Sequence, residues 1–346
     1  MTDTPIVAQA LRILAHFWLE EVRPNDAEII TALPELATAL PDTSIATLDE
    51  LAVEYQRLFG FNLPPYESIF IDPSAMLMAP ATERVQALYR QGQWRVPSDT
   101  RTGAPDHIGV ELLALADWLE ARKAPFAHQL QTEHLALWVP PFVLALQRLS
   151  PHPFYIALSD LTVDLVLATL PMGKPDSPDN LFPDLPPPPV YKGSGETAFD
   201  LIQDIPTDTE LQAPIDPNEF SEGNSDVDKG DDSVSLRRLI KGFLPPREAG
   251  LFITREDLAR ISQALELPIS MGERYIMLET LFRQAGQYDL LPTLFEQLTR
   301  LLVTTKADYD RLAEEYPNWR PYAQAWNNRL GATEVTFADL NQQVDS

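Results

Sequence analysis

Apolar side chains recur along this chain at three- and four-residue spacing, the interval that lines one face of an α-helix. Ile6, Ala10, Leu14, Phe17 and Trp18 set the pattern and predict a helix over 6–21. Pro24-Asn25-Asp26 breaks it, and Asp26 is placed to cap a second helix through Leu33. Ile45, Leu48, Leu51, Ala52, Tyr55, Leu58 and Phe59 predict another, with Gly60 as a left-handed terminator. Phe61 to Ala81 reads as a proline-rich loop, held extended by Pro64-Pro65, and 82–91 as a short helix closed by Gly92. Asp106 suits the N-cap of the next helix, whose buried stripe is Ile108, Leu112, Leu115 and Leu119, with Glu111 on the solvent side. A helix over 126–139 is expected to be interrupted by Pro140-Pro141, with further helices over 142–149 and 154–170. No period-two alternation of any length appears, so residues 1–170 are predicted to be all-α.

The pattern then lapses. Residues 171–235 hold 15 acidic side chains against three lysines, with the proline run 186–189. Such a stretch buries too little apolar surface to offset its ordering entropy and reads as an acidic, Pro-rich linker, largely disordered. Phe199, Leu201 and Ile202 are placed to tack one point of it onto a domain. Helical periodicity returns over 236–335 as a second small bundle, followed by a tail at 336–346. Within the bundle, Thr254 with Asp257 and Ser270 with Glu273 are placed to start helices as capping boxes. Gly286 is placed to end one.

Charge and cysteine content narrow the chemistry. The net charge is −25, which argues against nucleic acid and anionic membrane surfaces. It favours cationic partners through long-range steering; the plainer reading is that it only keeps the chain soluble. With no cysteine, disulfides, thiolate metal sites and cysteine nucleophiles are excluded. The first residues carry no basic region ahead of an apolar core, and no apolar run approaches the ~18 residues of a spanning helix. A cytoplasmic protein is expected.

Candidate chemistry is sparse. Asp106, His107 and Glu111 are close in sequence, and His128 and His134 lie downstream, but their spacing fits no metal-ligand signature. Capping by Asp106 and a satisfied core His134 explain them better. There is no G-x-S-x-G elbow, P-loop or G-x-G-x-x-G. No enzyme, metal or cofactor is expected. Tyr55, Leu58, Phe59, Pro65, Tyr66 and Trp94 are either core or the apolar floor of a peptide groove, with carboxylates to take arginine forks.

Three short signatures favour the groove. They are Glu54-Tyr55-Gln56-Arg57-Leu58-Phe59-Gly60, Leu63-Pro64-Pro65-Tyr66-Glu67-Ser68-Ile69-Phe70, and Pro105-Asp106-His107-Ile108-Gly109-Val110-Glu111-Leu112. With the His134 to Trp138 segment, Pro140-Pro141-Phe142 and Pro153-Phe154-Tyr155 behind them, residues 6–170 resemble the TorD/DmsD family of cytoplasmic chaperones for molybdenum-containing oxidoreductases. Gly60 follows Phe59 directly where the family spaces them by one residue, and Tyr55 stands where several members carry tryptophan.

The resemblance implies a TorD-like helical domain over 1–170. It implies a non-catalytic chaperone that holds the apo form of a molybdopterin-containing oxidoreductase and its twin-arginine leader until cofactor insertion. Its peptide-binding residues would be Tyr55, Leu58, Phe59, Pro65, Tyr66, Pro105, Asp106 and His107, with Asp106 pairing an arginine. A monomer or a domain-swapped dimer would suit such a fold. The alternative is an adaptor whose C-terminal bundle docks a separate partner.

Overall fold

A computed structural model describes residues 4–149, 151–170 and 236–344. The linker and its Phe199-Leu201-Ile202 point lie outside them. The described residues are helical, and their one β-type pairing is an antiparallel bridge between Tyr66 and His107.

Helix α1 (Thr4–Leu19) buries Leu11, Leu14, Phe17 and Trp18. It lies along α7 (Ile108–Glu120). The two approach closely at Gly109, where a Cβ would meet Leu19 Cγ at 2.6 Å and the Ala15 carbonyl at 2.8 Å. Short helices α2 (Ala27–Thr31) and α3 (Pro34–Ala39) lead to α4 (Ile45–Tyr55), capped by Ser44. Then come α5 (Glu67–Ile71), α6 (Pro80–Gln91), α8 (Ala124–Leu130), α9 (Ala136–Arg148) and α10 (Pro153–Ala168).

Several expected boundaries are corrected. Gly60 does not end α4: the chain widens into a π-helical stretch, Gln56–Asn62, where the Leu63 amide reaches back five residues to the Leu58 carbonyl at 2.8 Å. Asp106 is not the N-cap of α7. His107 is, its Nδ1 accepting from the Gly109 amide at 3.1 Å. Glu111 does not face solvent; it is fully buried. Glu273 caps its helix without a side-chain bond, so the Ser270 box does not form, and that helix, Arg274–Gln287, runs past Gly286. The Thr254–Asp257 box is present, with reciprocal bonds of 3.0 and 2.9 Å.

The largest departure is at Pro140-Pro141. Helix α9 runs straight through both; the irregularity is one turn earlier, a π-helical Gln131–Leu135. Proline has no N–H, so the carbonyls of Ala136 and Leu137, four residues back, lose their helical donors. Both are satisfied from the far end of the chain. Trp319 Nε1 donates to Ala136 O at 2.8 Å, and Trp326 Nε1 to Leu137 O at 2.9 Å. Tyr322 Oη adds a bond to Thr132 O at 2.9 Å. All three side chains are buried.

Those residues belong to a long helical hairpin, Leu291–Glu315 and Arg320–Val344. The C-terminal helices pack directly on the first half. Phe252 stacks on Phe70 at 5.2 Å, Arg247 donates to Ile71 O at the end of α5, and Arg57 pairs with Glu256. One continuous apolar core runs through both regions.

Candidate functional site

The second and third signatures meet at the Tyr66–His107 bridge. Glu67 N donates to Asp106 O at 2.9 Å, and Ile108 N to Pro65 O at 3.0 Å. Asp106 Oδ2 accepts from the Ser68 amide at 2.8 Å, so its carboxylate caps α5 across the turn. The Pro-Pro-Tyr-Glu-Ser loop and the Pro-Asp-His turn are thus two halves of one knot.

Beneath the knot lies a buried polar cluster. His134 Nδ1 donates to Glu67 at 2.9 Å, and Trp138 Nε1 to Glu111 Oε2 at 3.1 Å. Burial, and then the neighbouring charge of Glu67, push the Glu111 carboxyl well above the usual range, which favours its protonated form. Burial pushes His107 down to about 3. The neutral ring is the form its capping Nδ1 requires. Among the described residues no group of three His, Asp or Glu is arranged to hold a metal ion.

The eight expected contact residues divide by exposure. Leu58, Phe59, Pro65, Asp106 and His107 are buried, Asp106 at 0% exposure and His107 at 5%. They form the underside: Phe59 lies edge-on to Trp18 at 5.4 Å and to Tyr155 at 5.6 Å. Tyr55, Tyr66 and Pro105 are half-exposed. Tyr66 stands edge-on to His107 at 4.9 Å and accepts from the Gly103 amide. Tyr55 donates to the Trp18 carbonyl at 3.0 Å. Its phenol is raised first by burial, then by Tyr66, Glu21 and Glu20.

Two carboxylates lie on the same side of the chain: Glu21 accepts from Gln56, next to Tyr55, at 2.6 Å, and Glu20 pairs with Arg23 at 2.9 Å. Sequence reading missed them because they lie 34 residues or more from the first signature's tyrosine. The available signal was an acidic pair directly after the apolar stripe of α1.

Residues 23–144 match the family described as nitrate reductase delta subunit. The chain is 31% identical over 144 residues to the Tat proofreading chaperone DmsD of Salmonella typhi, covering 40% of this chain and 66% of that protein. The two matches together support a TorD/DmsD-type domain over residues 23–144. The chain thus spans slightly less than two thirds of that relative's length. The family match stops short of 236–344, the segment whose tryptophans complete α9. No described helix is long and apolar enough to cross a membrane.

Proposed function

We propose that this protein is a non-catalytic, cytoplasmic chaperone that binds the twin-arginine leader of a molybdopterin-containing oxidoreductase and holds the apo-enzyme before cofactor insertion. The observation that carries the reading is the half-exposed Tyr55–Tyr66 face beside Glu20 and Glu21, on a TorD/DmsD-type domain. Tyrosine offers flat apolar contact with a polar tip, and carboxylates take guanidinium groups in fork geometry.

In this proposal Tyr55, Tyr66 and Pro105 touch the peptide. Leu58, Phe59, Pro65, Asp106 and His107 shape the face from below, and Glu20 and Glu21 take the arginines. An apolar surface that the apolar part of a leader could use is Met76, Leu77 and Met78, exposed on the loop after α5. Ala75 and Met78 hold left-handed φ of 49° and 60° there.

The adaptor reading has less support. The aromatic and arginine anchors of the C-terminal region, Trp319, Trp326, Arg247 and Phe252, are engaged within the chain.

The test is a titration of the full-length protein with a labelled twin-arginine leader and with the same leader carrying two glutamines. Binding near micromolar, about −8 kcal/mol, that is lost with the glutamines supports the reading. Equal binding of both peptides would falsify arginine recognition.

A further inference from the structure

We infer that Trp319, Tyr322 and Trp326 are positioning residues for the peptide face, so that the C-terminal segment sets how tightly a leader is held. The inference deepens the proposed function and rests on it.

The stretch 131–141 is held from two sides. On one side its carbonyls at Thr132, Ala136 and Leu137 accept from Tyr322, Trp319 and Trp326. On the other, its side chains His134 and Trp138 donate to Glu67 and Glu111. Glu67 sits directly between Tyr66 and Ser68, and its amide bonds to the Asp106 carbonyl. The path from indole to Tyr66 therefore consists of hydrogen bonds and two short backbone segments, one within 134–138 and one at 66–67.

Two features make the stretch dependent on outside support. Its diproline removes two internal donors, and its π-helical turn departs from the regular ladder. Proline is a usual cause of kinks and breaks in helices, and α9 continues through both prolines. The C-terminal hairpin supplies the missing donors, and the orientation of His134 and Trp138 follows.

The experiment uses full-length protein with ¹⁵N-labelled indoles. Trp319→Phe and Trp326→Phe each keep an apolar aromatic ring and remove one N–H donor. The Trp138 indole resonance, which reports its bond to Glu111, is expected to shift, and leader affinity to fall by about fivefold or more, the lower end of usual coupling between sites. Leu298→Ala, a core truncation in the same hairpin, is the control. It is expected to lower the unfolding midpoint and leave both readouts in place. Folded tryptophan variants with an unmoved Trp138 signal and unchanged affinity overturn the inference. If either fails to fold, Tyr322→Phe, which removes one hydroxyl, decides by the same two readouts. Should the wild type bind no leader, the proposed function fails and the Trp138 signal alone decides the positioning role.

Discussion

His107 and Glu111 are four residues apart and titrate in opposite senses. His107 is held neutral, at about 3 against an ordinary 6.5. Between those values the unfolded chain takes up a proton that the folded chain refuses. Stability therefore drains as pH falls from about 6.5 toward 3, at about 1.4 kcal/mol per pH unit for one proton. Asparagine caps helices well and does not titrate. His107→Asn should flatten this acid limb in urea unfolding between about pH 4 and 7; an unchanged slope would show that the ring is not held neutral. Glu111 is raised above its ordinary 4.5, so the folded chain holds the extra proton. Its contribution is full below about 4.5 and is lost as pH rises through the folded value. Glu111→Gln is neutral at every pH and should reduce the loss of stability on the alkaline side. Sequence reading placed both residues near the site but set Glu111 in solvent, because one turn of spacing cannot say which face is covered by a helix far away in the chain.

Elements were more legible than their joints. The existence of α1, α4 and α7 was readable from apolar spacing, although Ile6 and Ile45, read into their stripes, are exposed and α1 and α7 are buried on more than one face; the Thr254–Asp257 box was readable because its bonds are local. The course of α9 was not. Its prolines argue for a break, and the donors that prevent one sit more than 180 residues away at Trp319 and Trp326. The two π-helical stretches were hidden for a related reason: both lean on the C-terminal region, through Glu256 and Tyr322. Glycines sharpen the same contrast. Gly109→Ala would drive a methyl into Leu19 and the Ala15 carbonyl and should cost about 1–3 kcal/mol by forcing α1 and α7 apart. Gly331→Ala meets nothing within 4 Å inside the Arg320–Val344 helix. It should stabilise by up to ~1 kcal/mol through helix propensity alone. Thermal unfolding of the pair tests both signs.

At the scale of the whole molecule, the sequence suggested two bundles joined by an acidic tether. The described residues give one core, with the C-terminal helices bracing the family domain. Division into independently folding units therefore remains a proposal, to be tested by whether the two regions unfold in one step or two. The net charge of −25 sets a long-range field suited to a basic leader, and the field is screened as the Debye length shortens to ~8 Å at physiological salt. Leader association should slow as salt rises, while the tyrosine contacts hold the dissociation rate nearly constant. The most direct measurement is the leader affinity of full-length wild type against Tyr66→Ala and the double variant Glu20→Gln, Glu21→Gln, each checked for an unaltered fold. Weakening by about tenfold or more in both is the result expected of an acid-flanked tyrosine face; folded variants that bind as tightly as wild type would contradict it.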